Sequence, residues 1–570
     1  MRRARTYARG RGHALLALLA LVACGDAAEP VEPAPSELRD ELGPAALLTR
    51  ASMALRGTRP TLDELDAIEA DPGRYVELVE NYLYDPRFLD TMRDLHGDVL
   101  GMNLDGFSAI FGFRPFGPLA DVPQLELNRS LTDSPLELIA DIIDRDLSYG
   151  EIVTADYVFA DETVATVWGL PYDEARGGWQ AVRPADGRDV AGILSDSAIF
   201  NRHDSTFFNR NRGRANMVSR ALLCFDFLDR SVEIDTDVDL GDDAAVENAI
   251  AEQESCQNCH QSLDPLAAFF APYGGGAPAI ATFSYPTPFP LFDPENAAPR
   301  RTADPAYFGR PASTIAELGQ EIAADPRFAL CASRHFASYL LRVPQSDVPR
   351  PLVEQLYTVF TEADLNARAL ARAVVLAPAF RLAGSDAEED AWSEGLHLAR
   401  PRQLARAVED LTGYRMLLDV DALLQDPGTT FGVIDLMDDS VLGYEVLAGG
   451  TDGFTVTTPA RSATATSSLV RETLARRAAF HVVRADFEAP GERRRLFPDA
   501  DLRTTDEAMV RAVLAQLQRR LYGVRLAPDD PALDAAQALF AGLRAESGDP
   551  ERAWGLTLAA LLEDPRFATY

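Results

Sequence analysis

The sequence predicts a mainly α protein: several packed helical units, one long Pro/Gly-rich loop and a few short strands. Three observations predict it. Apolar residues recur at the 3.6-residue helical period, as in Tyr75, Val76, Val79, Tyr82 and Leu83, in Leu136, Leu138, Ile139, Ile142 and Ile143, and in Leu365, Ala369, Leu370, Ala373 and Val374. The tetrapeptide Asp-Pro-Arg-Phe stands at Asp85–Phe88, Asp325–Phe328 and Asp564–Phe567, each time after an amphipathic run. Asp suits a helix N-cap and Pro the first helical position, so each copy should separate two helices and turn its Phe into the core. Leu376–Arg381 is a degenerate further copy, and the repetition suggests assembly from related helical units. Finally, 570 residues exceed what one core usually covers, which implies two or three packed units.

The chain divides as follows. Residues 1–23 carry Arg2, Arg3, Arg5, Arg9 and Arg11 and then the apolar run Ala14–Ala23, too short to span a bilayer as a mature helix. This is the pattern of a signal peptide. It ends Leu21-Val22-Ala23-Cys24, which resembles a bacterial lipobox and makes Cys24 the expected lipidation site; the alternative is a plain secretory cleavage site with an incidental cysteine. Residues 24–44 are acidic and Pro/Ala-rich and are expected to form an extended tether. An N-terminal helical unit over 45–130, a central unit over 131–385 and a C-terminal helical unit over 386–570 follow. Short extended pieces are expected around Ile152–Val158 and Tyr444–Val456, where β-branched and aromatic residues adjoin Gly-rich turns.

Composition narrows the partners. With 54 Lys+Arg against 88 Asp+Glu, a net charge of −34, the chain is poorly suited to nucleic acid and anionic lipid headgroups. Every basic residue is Arg, which removes lysine as a Schiff base or P-loop residue. No H-E-x-x-H, G-x-S-x-G, Walker A or G-x-G-x-x-G occurs, so familiar hydrolase and nucleotide sites lack support.

The chemistry concentrates at Cys256-Gln257-Asn258-Cys259-His260. Two thiols at this spacing each add to one vinyl group of a haem, and the adjacent imidazole reaches the iron, so the central unit is expected to carry one covalent haem c. Cys256 and Cys259 are the thioether carriers and His260 the proximal iron ligand. A Cys-x-x-Cys redox pair, half a zinc site or chance are the alternatives; no second Cys/His pair completes a zinc site. The sixth iron ligand is open: Met217, His203, His335 and Met102 are candidates by residue type only, and Leu263 stands where a nearby Met would have been suggestive. Arg210, Arg212 and Arg214 suit haem propionates, or else belong to a solvated loop or to ion pairs within this acidic body. The long loop Ala271–Pro311 follows the motif and is read as a lid controlling solvent access or as decoration. Cys224 and Cys331 remain, and in an oxidising compartment they are expected to pair, the alternative being two buried free thiols. His397 and His481 lack ligand partners at useful spacing and are read as core or surface residues.

The central block also carries a resemblance. Arg188–Ser195, Asn209–Arg214, Leu222–Cys224 and Cys256–His260 with Leu263-Asp264-Pro265-Leu266 are similar to a domain of the planctomycete-type cytochrome-like exported proteins, also common in myxobacteria. Thr154–Phe159 with Trp168–Pro171 resembles the domain that usually precedes it, and Asp325–Phe328 with Cys331, Tyr339 and Arg342 the one that follows. The likeness covers about residues 130 to 382 and implies export and a haem-type motif, without supplying a reaction.

The resulting expectation is a lipid-anchored, exported monohaem protein at the periplasm or cell surface, transferring electrons or sensing redox state with protein partners of the envelope, an electron carrier rather than a catalyst. A non-redox binding or scaffolding protein with a vestigial or structural C-x-x-C-H is the alternative, and haem-dependent catalysis with an open sixth site a third reading.

Overall fold

Helix dominates because the apolar stripes can be buried only by packing helix on helix. In the computed structural model, 62% of the described residues are helical and 5% lie in strands. The structure describes residues 39–570, apart from 104–114, 204–209, 230–237, 240, 274–284, 286–291, 293, 296, 298–300, 386–394, 427, 429, 439–442, 454, 499 and 504–505. The segment expected to be a signal peptide, Cys24, most of the expected tether and much of the segment Ala271–Pro311 lie outside these residues. Arg39–Tyr570 form one contact unit.

The largest core runs from Leu47 to Phe380 and joins the N-terminal helices to the central segment through Leu48, Phe88, Ile139, Phe200, Phe328 and Phe360. A second core gathers the C-terminal helices around Trp554 and the 24-residue helix Ala465–Glu488, and it reaches back to Met53 and Leu125. A small third core packs Leu127 and Leu131 against Val158, Val164 and Val182. The chain ends are stitched to distant parts: Arg59 donates to the carbonyls of Phe567 and Thr569, and His397 and Tyr570 exchange backbone hydrogen bonds of 2.8 and 3.0 Å. His397 is buried there against the Tyr570 ring, whereas His481 is exposed beside Tyr414.

Buried arginines serve as staples. Arg50 donates to the carbonyls of Phe380, Leu382 and Gly395, and Arg214 to those of Phe200, His203 and Tyr273. A planar fork of five donors reaches several carbonyls at once, which a lysine ammonium does poorly.

Two of the Asp-Pro-Arg-Phe copies match the expected capping, whereas in the first the helix begins at Arg87 with Pro86, not Asp85, at the cap position. Asp325 and Asp564 are N-caps, accepting from the amides of Arg327 and Arg566, and Asp85 accepts from the amide of Arg87 at 3.0 Å. In each copy the Arg guanidinium forks back onto the same Asp, and Phe88, Phe328 and Phe567 are buried. Pro378 opens a 3-10 turn that buries Phe380 in the degenerate copy.

Among the described residues the strands form four two-stranded antiparallel pairs. Arg39–Glu41 pairs with Leu382–Ser385, Val158–Ala160 with Gln180–Val182, Ala306–Tyr307 with Arg310–Pro311, and Leu417–Asp419 with Val433–Asp435. Two expectations are corrected. Glu151–Thr154 is a helical turn, and the strand begins only at Val158. Tyr444–Leu447 is also helical rather than extended: Gly443 takes the left-handed φ of +69°, and buried Glu445 is drawn onto Arg402 at 3.2 Å, a tertiary pairing that overrides local strand preference.

Candidate haem-attachment site

The motif lies on the helix Glu254–Ala268. Asp242 caps the preceding helix Asp243–Glu252, and the chain turns at Gln253 before entering the motif helix. Cys256, Cys259 and His260 are spaced i, i+3 and i+4, so helical geometry puts them on one face. All three are half-buried, Gln257 and Asn258 are exposed, and the same face continues into buried Leu263, Asp264 and Ala267. Both cysteines are free thiols.

His260 is held firmly. Its Nδ1 lies 2.9 Å from Oδ1 of Asp264, one helical turn along. Arg212, from the helix Arg212–Leu223, grips the same carboxylate with Nε at 2.7 Å from Oδ1 and Nη2 at 2.9 Å from Oδ2. Burial works against the Asp264 anion, but the bonds from His260 and Arg212 outweigh it and hold the carboxyl below its ordinary value. Beside this, Cys259 packs at the margin of the main core, its Sγ 4.0 Å from the Phe227 carbonyl oxygen. Phe227 touches Phe225 edge-on at 4.9 Å and lies parallel to Phe308 at 6.3 Å, with Arg327 over the Phe308 ring at 4.4 Å.

These residues fit a covalently held haem by the chemistry of their donors. Two unlinked thiols share a helix face with an imidazole whose Nδ1 is engaged, leaving the Nε2 lone pair for a metal, and Cys259 sits beside the backbone of Phe227. The arginine trio is occupied otherwise: Arg212 by Asp264, Arg214 by buried carbonyls and Arg210 by Glu247 at 2.6 Å.

The candidate sixth ligands are dispersed. Met217 is buried in the main core, and buried Met102 lines a charged cavity. His203 has its Nε2 2.9 Å from the Leu100 carbonyl, and burial pushes the ring down to about 3. His335 places Nε2 3.0 Å from the Ala221 carbonyl and 3.2 Å from Cys331 Sγ. A carbonyl partner requires the proton on that nitrogen, so neither histidine offers a free Nε2 lone pair. Cys224 and Cys331 are joined to one another. Together with His335 they bring donor atoms within 4.8 Å, but sulfurs in a disulfide present no thiolate to a metal.

The charged cavity measures about 460 Å³ and is lined in part by Asp90, Arg129, Asp133, Arg402, Arg406 and Asp438. Arg129 pairs with Asp438 at 3.3 Å and Arg406 pairs with Asp94. Among the described residues Arg406 Nη1 has no hydrogen-bond acceptor, and Asp133 lines the same cavity. Sequence reasoning missed this cavity, whose walls come from segments some 300 residues apart; Arg129 and Asp438 are separated by 309. It also missed the role of Asp264, which the i, i+4 spacing from His260 signals.

No family model, no curated protein and no solved structure matches the chain. Fold and site define a class: a mainly α protein presenting two free thiols and a carboxylate-held imidazole on one helix face.

Proposed function

We propose that this is an exported, lipid-anchored monohaem protein of the c type that transfers electrons or senses redox state at the cell envelope. The observation that carries the reading is the placement of Cys256, Cys259 and His260 on one half-buried helix face with His260 Nδ1 already satisfied by Asp264. Cys256 and Cys259 would hold the porphyrin as thioethers, and His260 Nε2 would bind its iron. A haem held there supplies one-electron exchange between ferric and ferrous iron. The chain's part would be to fix the ring of His260 through Asp264 and to present the half-buried motif to a protein redox partner, with the cluster Phe225, Phe227 and Phe308 close to Cys259 in the fold. The signal-peptide pattern and Cys24 support the envelope address. Expression with a cytochrome maturation system and a pyridine haemochrome spectrum of the denatured protein tests it: one covalent haem per chain is expected, and colourless mature protein with both thiols alkylatable refutes it.

One observation favours a second reading, a non-redox envelope binding protein. The cavity offers the unpaired donor Arg406 Nη1, with Asp133 in the same wall, to a small ligand that carries an acceptor. Colourless protein would leave this reading standing.

A further inference from the structure

We propose that Asp264, fixed by Arg212, is a positioning residue that sets the electron-donor strength of His260 and thereby lowers the potential of the iron it binds. The inference rests on the haem reading above and extends it to residues outside the C-x-x-C-H pentapeptide.

The geometry selects one tautomer. Asp264 is 7% exposed, and among the described residues its carboxylate accepts only from His260 and Arg212. Oδ1 serves His260 Nδ1 and Arg212 Nε together, and Oδ2 serves Arg212 Nη2. A carboxylate gripped by a guanidinium fork can only accept, so Nδ1 of His260 must donate and the ring's lone pair must stand on Nε2. The helix fixes the spacing, since residues four apart are neighbours, and Arg212 prevents the carboxylate from swinging away.

The electronic consequence follows from charge. A hydrogen bond to an anion withdraws the Nδ1 proton further than a bond to a neutral carbonyl does, and the imidazole becomes a stronger donor. A stronger donor favours ferric over ferrous iron, because the ferric ion carries one more positive charge, and the potential falls. Arg212 acts in the opposite sense: its positive charge tempers the anion while orienting it. Asp264→Asn and Arg212→Gln are therefore expected to move the potential in opposite directions. Asparagine keeps an oxygen for Nδ1–H but removes the negative charge and leaves Arg212 uncompensated, raising the potential. Glutamine at 212 removes a positive charge and leaves the Asp264–His260 bond, lowering it.

The experiment is spectroelectrochemical titration of haem-loaded wild-type, D264N and R212Q full-length proteins, with dithionite and ferricyanide as one-electron reductant and oxidant and with haem content fixed by the haemochrome assay. Losing a partner of a metal-bound histidine typically costs tenfold to 100-fold in metal affinity. As a ferric-to-ferrous preference this corresponds to about 59 to 118 mV for a one-electron couple. D264N should rise by that amount and R212Q should fall, with D264E, which keeps the charge, staying nearer wild type. Loaded proteins whose potentials agree within the smaller figure, or two variants that both shift upward as general loosening of the site would make them do, overturn the proposal while the haem reading survives. Colourless wild-type protein overturns both. If D264N fails to fold, the sign of the R212Q shift decides.

Discussion

Cys224 is bonded to Cys331, and the closed loop of 107 residues contains the whole motif helix Glu254–Ala268. Cys331 is buried on the helix Pro326–Leu341 and Cys224 ends the helix Arg212–Leu223, whose first residue grips Asp264. The bond therefore ties the far end of the Arg212 helix to the main core. Loop-closure entropy at this length amounts to about 4 to 5 kcal/mol of stability. The double variant Cys224→Ala/Cys331→Ala should lose most of that in urea denaturation, and non-reducing peptide mapping of the native protein should recover the two peptides linked. Recovery of both thiols alkylated and unlinked would remove the bond and the prediction with it.

Asp325 and Asp564 head equivalent tetrapeptides but differ in surroundings. Asp325 also accepts from the hydroxyl of Tyr307 at 2.8 Å, deep in the main core, whereas the side chain of Asp564 is 27% exposed. Asp325→Ala removes a cap and orphans a buried hydroxyl, a combined cost of about 2–4 kcal/mol. Asp564→Ala removes a cap and a partly exposed pair, about 1 kcal/mol. Chemical denaturation of the two variants should rank them in this order, and equal losses would mean that the Tyr307 bond contributes nothing.

These caps show what could be read from the chain and what could not. Asp-Pro-Arg-Phe was legible because an N-cap, a first-turn proline and the first core residue are neighbours in sequence, and so was the stripe Leu136–Ile143, whose 3.6-residue period faces the core. The closeness of Cys256, Cys259 and His260 was legible in their spacing, but the helix that puts them on one face was not. The return of each Arg onto its own Asp was missed, since it depends on side-chain geometry that sequence order does not reveal. Arg212 pairing with Asp264 spans 52 residues, and the helical turn at Tyr444–Leu447 depends on Arg402 from another segment. Such contacts are set by tertiary packing and leave no local periodic trace.

Two glycines within helices should respond oppositely to alanine. A Cβ on Gly319 would stand 2.0 Å from the Val153 carbonyl oxygen, where the helix Ile315–Ala324 crosses the turn Glu151–Thr154. Backbone must move to admit it, so Gly319→Ala is expected to cost about 1–3 kcal/mol or more. A Cβ on Gly542, exposed on the helix Pro531–Ser547, meets nothing within 4 Å. Gly542→Ala should stabilise by roughly 0.5–1 kcal/mol through helix propensity. Thermal melts of the two variants check both signs.

Asp133 should give the fold a pH dependence of its own. Burial pushes its carboxyl up to about 7, with Glu137 and Asp438 adding to the shift and Arg129 and Arg402 opposing it. An unfolded aspartate titrates near about 3.9, so between roughly pH 4 and 7 the folded chain holds a proton that the unfolded chain has released. The stability tied to that proton is complete below about 3.9 and is lost as pH rises through about 7. Buried His96 and half-buried His203, pushed down to about 4 and about 3 mainly by desolvation, behave inversely: their contribution is present above about 6.5 and fades on acidification. Their contribution varies only below about pH 6.5, so the slope from there to about 7 belongs to groups such as Asp133. Asp133→Asn mimics the protonated carboxyl at every pH. Its stability relative to wild type, measured by urea denaturation at pH 5, 6, 7 and 8, should rise with pH and level off near 8. A difference that stays constant across that series would show that Asp133 is ionised throughout.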